Sequence, residues 1–220
     1  GIATMGEGSK QWINAGEMEN KGFELNLGYR NSTKFGLKYD INANLSSYRN
    51  KITALPATVA ANGTFGGNGV ESVIGHPNGA QVGYVADGLF KSQEEIDNHA
   101  TQEGAGLGRI RWRDLDSNGI INEKDQQWIF DPTPAFSYGI NIYLEYKNFD
   151  LTMFWQGVQG VDIISDLKKE TDLWSGLNIG FLNKGKRVLD AWSPANPGSD
   201  IPALARNDSN NEKRVSTYYV

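Results

Sequence analysis

The stretch that decides the fold is residues 35–48, which read FGLKYDINANLSSY. Apolar and polar side chains alternate along it with a period of two. One face carries Leu37, Tyr39, Ile41, Ala43 and Leu45. The opposite face carries Lys38, Asp40, Asn42, Asn44 and Ser46. Because successive side chains of a β-strand point to opposite sides of the sheet, this alternation predicts a strand that is apolar on one side and polar on the other.

The same alternation recurs in three other segments, and the four together predict an all-β chain. We expect strands near residues 23–30, 35–48, 138–146 and 149–156. Short connections join the first strand to the second and the third to the fourth, which favours antiparallel hairpins. The other two connections are long and cover residues near 53–135 and 159–215.

This unequal pattern of connections is typical of outer-membrane β-barrels, which have short periplasmic turns and long outer loops. Soluble sandwiches rarely contain connections longer than about 15 residues. The sequence therefore predicts antiparallel strands of a transmembrane β-barrel, with long extracellular loops that carry short helices. The alternation alone leaves a soluble antiparallel sheet open. The alternative function is that of a soluble, secreted calcium-binding β-module that binds carbohydrate.

Composition argues against several classes of protein. The 220 residues carry a formal charge of −5, which does not suit a nucleic-acid-binding protein. There is no cysteine and there are two histidines, so thiol catalysis and histidine-based metal sites have little support. No catalytic motif is present, and we expect no enzyme. We also expect a fragment of a larger protein, because residues 216–220 have the pattern of a strand that is just beginning.

The sharpest local motif is the acidic loop, residues 114–125, which reads DLDSNGIINEKD. It matches the calcium-loop pattern D-x-D-x-N-G-x-x-x-x-x-D. In such a loop, oxygen ligands at alternating positions surround one point, and the glycine allows a sharp turn between them. The motif predicts a structural Ca²⁺ bound by Asp114, Asp116, Asn118, the Ile120 carbonyl, Asn122 and Asp125. The alternative is a turn cluster of Asp and Asn without a metal.

Tryptophans are concentrated outside the predicted strands, where exposed rings can stack on sugars or contact a partner. The candidates for substrate or partner contact are Trp112, Trp128, Trp174 and Trp192. The alternative is that these rings form small apolar cores within the connections. Two short helices are also expected there, one at a capping box that begins at Ser92 and one within residues 162–173.

Several motifs, in order along the chain, resemble the C-terminal part of the barrel in the SusC/RagA family of TonB-linked outer-membrane transporters. Each is loose by itself, but the ordered set is specific. They are residues 14–25 (NAGEMENKGFEL), 44–52 (NLSSYRNKI), 83–92 (GYVADGLFKS), the acidic loop, 134–139 (PAFSYG), 146–151 (YKNFDL), 154–160 (FWQGVQG) and 192–197 (WSPANP). In the acidic loop, Asn118 stands where the family pattern has Asp.

The resemblance implies part of a large barrel, of about 22 strands, that surrounds an N-terminal plug. Members of the family import glycan or peptide fragments with energy from TonB, and each pairs with a SusD-like surface lipoprotein. The chain would then be a multi-pass outer-membrane protein. Its partners would be that lipoprotein, an oligosaccharide or peptide, membrane lipid, and TonB through N-terminal parts that we expect to lie outside these residues.

The predicted strands also specify which side chains face lipid, because every second residue lies on the same side. We expect the lipid face to carry Leu25, Leu27, Leu37, Tyr39, Ile41, Ile140, Ile142, Leu144, Leu151 and Met153. We expect the lumen face to carry Lys38, Asp40, Asn42, Asn141, Glu145 and Thr152.

Overall fold

The computed structural model describes residues 16–55, 74–173 and 184–220, together with the backbone of residues 64–65 and 68–69. Its contacts divide the chain into two compact units. The first, the sheet unit, comprises Gly1–Asn78 and Ala135–Val158. The second, the loop unit, comprises Gly79–Pro134 and Gln159–Val220.

Strands dominate the described residues, and helices are few and short. The strands are β1 (Glu17–Ser32), β2 (Lys38–Ala54), β3 (Thr64–Phe65), β4 (Asn68–Gly69), β5 (Gln81–Tyr84), β6 (Ala86–Leu89), β7 (Ile110–Trp112), β8 (Gln126–Phe130), β9 (Phe136–Tyr146) and β10 (Phe149–Gln159). The α-helices are α1 (Gln93–Asp97) and α2 (Asp166–Thr171), and 3₁₀ turns occupy Glu123–Asp125 and Lys186–Asp190.

The sheet unit is built on one antiparallel sheet with the order β1-β2-β9-β10. The four predicted strands are therefore present, and the all-β antiparallel prediction is confirmed. The sheet is open, with β1 and β10 at its two edges in the part of the chain that is described. Strands β1 and β2 continue beyond their predicted ends, to Glu17 and to Ala54.

The second strand begins three residues later than the pattern suggested. Thr33 closes a turn in place of the first strand residues: its N–H donates to the carbonyl of Leu37 at 2.8 Å, and its hydroxyl accepts from the Leu37 N–H at 3.0 Å. Gly36, with a φ of +93°, completes this turn. Leu37 thus belongs to the turn. The prediction that it lies on the lipid face of a strand is therefore wrong.

The loop unit has its own small apolar core, which both long connections build together. Two short ribbons, β5 with β8 and β6 with β7, come from the first connection. Trp192, from the second connection, packs with Leu89, Ile110 and Trp112. Its ring lies against Gly108, where an added Cβ would come within 2.4 Å of the indole. Glycine at this position therefore allows the second connection to pack on the first.

The first predicted helix is present as α1, and the second is shorter than predicted. Ser92 caps α1 by accepting the Glu95 N–H at 3.2 Å, but the Glu95 carboxylate accepts the Lys91 N–H at 2.7 Å, so only half of the capping box forms. The second helix was predicted within residues 162–173, and only Asp166–Thr171 (α2) are helical. Within the described residues, no helix has the length and apolar character needed to cross a membrane.

The chain from Ser216 onward does not begin a strand, which corrects that prediction. Ser216 makes a single parallel bridge to Tyr84, and the residues after it turn. The Thr217 N–H donates to the Tyr84 carbonyl at 3.0 Å, and Tyr219 is buried. The aromatic run that resembled a strand is therefore part of the loop unit's packing.

Candidate functional site

The outward face of the sheet is formed by apolar side chains in continuous rows across the strands. The register of β1 on β2 and of β2 on β9 places Leu27, Ala43 and Ile140 in one row, between the rows Leu25–Leu45–Tyr138 and Tyr29–Ile41–Ile142. Large side chains on this face are exposed, for example Leu27 at 61% and Tyr29 at 57%. The shared face that the alternation predicted is thus present across three strands.

The inward face of the same strands is polar and internally paired. The Arg30 guanidinium forms an ion pair with Asp40 across β1 and β2, and the Lys38 ammonium lies 2.7 Å from the Glu145 carboxylate across β2 and β9. Across β2 and β9, the hydroxyls of the paired residues Ser46 and Ser137 are 2.7 Å apart. Such pairs suit a surface in contact with water or with a polar occupant.

The acidic loop is shaped by its own Asp and Asn side chains. Asp114 accepts from the backbone N–H groups of Asn118 at 3.3 Å and Gly119 at 2.9 Å, and Asn118 accepts from the Ile120 N–H at 2.8 Å. Gly119 has a φ of +79°, which L-amino acids with a side chain rarely adopt. The glycine of the motif is therefore required by the turn itself.

Three carboxylates converge within this loop. Asp114, Asp116 and Asp125 each place an oxygen within 4.8 Å of the other two. Asp125 is buried, and its two oxygens accept the N–H groups of Leu115 at 2.8 Å and Asn122 at 2.7 Å. Each carboxylate oxygen can accept more than one interaction, so these hydrogen bonds orient the carboxylate and leave it able to coordinate a cation.

Two further features favour an acidic loop that is already formed without a ligand: the negative charge of Asp114 and the contacts that attach the loop to the rest of the loop unit. The Gly119 N–H is the main cause that lowers the pKa of the Asp114 carboxyl, so this group is anionic at neutral pH. Ile121 packs against the core of the loop unit and so anchors the acidic loop there. Its N–H donates to the Thr101 carbonyl at 2.9 Å, while the Thr101 N–H donates to the Gly119 carbonyl at 2.8 Å.

The candidate tryptophans have different environments. Trp112 is fully buried and Trp192 is only 8% exposed, both in the core of the loop unit. A buried ring cannot stack on a sugar, so the small-core interpretation describes these two. Trp128 lies in β8 and is half-buried. Trp174 lies outside the described residues.

A buried polar network beside β7 was missed at the sequence level. One edge of β7 pairs with β6, and side chains satisfy the other edge. Gln102 accepts the Trp112 N–H at 2.9 Å and donates to the Ile110 carbonyl at 2.8 Å. Glu212 accepts the Ile110 N–H at 3.1 Å and pairs with Arg109 at 3.1 Å. Burial raises the pKa of the Glu212 carboxyl, while Arg109 acts in the opposite direction.

An antiparallel sheet with an exposed apolar outward face and a polar inward face is typical of β-barrel membrane proteins. Comparisons with known proteins agree with this class. The chain is 33% identical over 219 residues to TonB-dependent receptor P3 of Formosa agariphila, a match that covers 96% of the chain and 21% of that receptor. It is 30% identical to TonB-dependent receptor P26 of the same organism over 198 residues, covering 88% of the chain and 20% of the receptor.

Solved structures share the fold. A structure of the RagAB peptide transporter superposes with a TM-score of 0.68 at 21% identity, over 95% of this chain and 21% of that chain. The RagAB peptide importer in its closed-closed state gives a TM-score of 0.65 at 22% identity, over 95% of this chain and 22% of that chain. No protein-family model matches the chain.

The chain belongs to the TonB-dependent receptors, so the family resemblance is confirmed and the protein is located in the outer membrane. It spans about a fifth of the length of the curated relatives it matches.

Proposed function

We propose that these strands belong to a transporter that imports glycan or peptide fragments across the outer membrane, with a SusD-like surface lipoprotein as its partner and TonB as its source of energy. The names of the relatives and the RagAB fold support this proposal. The orientation follows from the connections, since the short turns of a barrel face the periplasm and the long connections face outward.

The observation that carries the proposal is the contrast between the two faces of the sheet. An exposed apolar face of this size is costly in water, whereas lipid removes the cost. The alternative of a soluble calcium-binding module requires a second layer over the rows that contain Leu25, Leu27 and Ile140. In the described part of the chain these rows are left exposed or half-exposed, which favours lipid contact.

Uptake by cells tests the proposed function. We expect deletion of the gene to abolish uptake of one labelled substrate class, either oligopeptides of several residues or oligosaccharides, when each is supplied separately. Complementation with the gene should restore uptake, and a protonophore should remove it again because TonB coupling needs the inner-membrane proton gradient. The lipoprotein partner should copurify from mild detergent. Unchanged uptake of both classes in the deletion strain would contradict the proposal.

We propose further that the acidic loop binds one Ca²⁺ with a structural role. Asp114, Asp116, Asn118, the Ile120 carbonyl, Asn122 and Asp125 would supply oxygens at about 2.3–2.6 Å. The physical support is the close approach of three carboxylates, whose mutual repulsion a divalent cation relieves. Mg²⁺ suits the loop less well because it demands strict octahedral geometry and retains its water. The ion would fix the chain path between β7 and β8.

Calorimetry on the intact receptor in detergent tests the calcium proposal. Asp116→Ala should weaken Ca²⁺ binding by at least about tenfold, because it removes one charged ligand from the loop. Glu103→Ala, which removes an exposed acid of the same connection, is the matched control and should leave binding unchanged. Absence of Ca²⁺ binding in the unaltered protein, or equal binding by the two variants, would show that the loop is a turn cluster without a metal.

A further inference from the structure

Three cations and one carboxylate form a cluster at the end of the first hairpin that leads into the long connection. We call Lys21, Arg49, Lys51 and Glu19 the rim cluster. In the register of β1 on β2, Glu19 lies opposite Lys51 and Lys21 lies opposite Arg49. Glu19 binds both lysines, at 2.6 Å from the Lys21 ammonium and 3.0 Å from that of Lys51. With three cations and one carboxylate, the formal charge of the cluster is +2.

The rim cluster lies on the outward face of the sheet. The register shows no irregularity between Glu19 and Ser32, so residues 19, 21, 23 and 25 share one side with their partners 51, 49, 47 and 45. The row that contains Lys21 and Arg49 therefore directly follows the row of Phe23. The lysine side chains are open to the surroundings, at 76% for Lys21 and 50% for Lys51.

The surface beside the rim cluster is concave and held by backbone hydrogen bonds. A cavity of about 350 Å³ is lined by Glu19, Lys21, Arg49, Asn50, Lys51, Gly75 and Pro77. The chain near Pro77 runs along β2: the Ile52 N–H donates to the His76 carbonyl at 2.9 Å, and the Gly75 N–H donates to the Ile52 carbonyl at 2.7 Å. The Asn78 N–H donates to the Asn50 side chain at 2.8 Å. The cations thus lie beside a defined hollow.

The depth of the cluster follows from strand geometry. From Phe23 to the row that contains Tyr39 and Leu144, the mainly apolar rows extend over about 27 Å of strand. A tilt of about 40° reduces this length to about 21 Å, close to the apolar band of about 25 Å in such barrels. Lys21 lies one row, about 7 Å along the strand, beyond Phe23. This places the cluster at the level of the lipid headgroups. The long-connection end of the strands is the outer one, so this step rests on the proposed function.

We propose that the rim cluster binds the phosphate-bearing headgroup of an outer-leaflet lipid. Arginine and lysine are suited to this task, since a guanidinium can bind phosphate in a bidentate manner and an ammonium contributes a compact charge. The formal charge of +2 attracts a phosphate, while the acyl chains of the same lipid cover the exposed rows of Phe23 and Leu25. One molecule therefore satisfies both features of this face.

The proposal is tested by measuring lipid binding to variants in which the cations of the rim cluster are replaced by glutamine. The intact receptor that carries these strands is purified in a zwitterionic detergent, titrated with bis-phosphorylated lipid A and monitored by native mass spectrometry. With about 1 kcal/mol for each cation near a charged surface, each substitution should weaken binding about fivefold. The triple variant Lys21→Gln/Arg49→Gln/Lys51→Gln should lose affinity on the order of 100-fold. Lipid A from which both phosphates have been removed should bind the unaltered receptor equally weakly.

A matched triple variant at the opposite end of the same hairpin is the control. Arg30→Gln/Lys34→Gln/Lys38→Gln removes three cations from the turn and the inward face and should bind lipid A like the unaltered receptor. Equal binding by the rim variant and the control would overturn the proposal, as would inorganic phosphate that competes as effectively as the lipid. Heat-modifiable migration reports barrel folding separately: a receptor that never forms a barrel contradicts the proposed function, whereas a folded barrel with unchanged lipid binding contradicts only this inference.

Discussion

Replacing Ile140 with arginine should destabilise the folded barrel by about 2–4 kcal/mol, the cost of a cation on the lipid face near the bilayer midplane. Ile140 lies opposite Ala43, which lies opposite Leu27, in the middle row of the outward face. The arginine side chain would have to reach water across two rows of apolar neighbours. Urea unfolding of the intact receptor in lipid bilayers, followed by tryptophan fluorescence and heat-modifiable migration, measures the loss.

The adjacent residue supplies the control for this prediction. Asn141 pairs with Asn42 on the inward face, so arginine at position 141 enters a polar lumen and should cost less than about 1 kcal/mol. A one-residue change in register would exchange the two results, because it moves every side chain of a strand to the other face. Equal losses for the two variants would refute the assignment of faces.

Replacing Glu212 with alanine should weaken the local stability of the loop unit by about 3 kcal/mol. Glu212 is buried, and its removal leaves the Ile110 N–H without an acceptor and the Arg109 guanidinium without its carboxylate. Hydrogen exchange of the β7 amides in the intact receptor measures the effect. Protection of these amides should fall on the order of 100-fold if they exchange by opening of the loop unit.

Two comparisons make this second prediction specific to the network. Glu170→Ala removes a carboxylate that is 48% exposed and pairs with Lys213, and such an exposed pair should contribute less than about 1 kcal/mol. Glu212→Gln keeps an acceptor for the Ile110 N–H, so its loss should lie between the two alanine variants. If protection at β7 is the same in Glu212→Ala and Glu170→Ala, the network does not stabilise β7.

Local patterns determined the membrane sheet. The alternation in residues 35–48 needs no distant information, since every second side chain of a strand lies on the same side. It was enough to predict the strands and most of the two faces, and the lengths of the connections indicated a barrel. The exception was Leu37, because hydrogen bonds from Thr33 and the positive φ of Gly36 close the turn where the apolar pattern still suggested a strand.

The acidic loop was predictable for the same reason, since residues 114–125 interact mainly with one another. Its turns depend on hydrogen bonds between residues a few positions apart, such as those of Asp114 with Gly119 and Asn118 with Ile120. The oxygens that accept these turn hydrogen bonds are also those that would coordinate the proposed cation.

Contacts between distant residues decided the rest. Trp192 packs with Trp112, which lies 80 residues earlier in the sequence. The Glu212 carboxylate accepts a hydrogen bond from the N–H of Ile110, 102 residues earlier. No sequence pattern within either connection predicts these contacts, because the burial of a tryptophan or a glutamate depends on which distant segment of the chain packs over it. The sequence by itself therefore determined the strands, their faces and the acidic loop through short-range periodicity and spacing. Only the tertiary structure decided that the two long connections share one core, since that core is formed by residues that lie far apart along the chain.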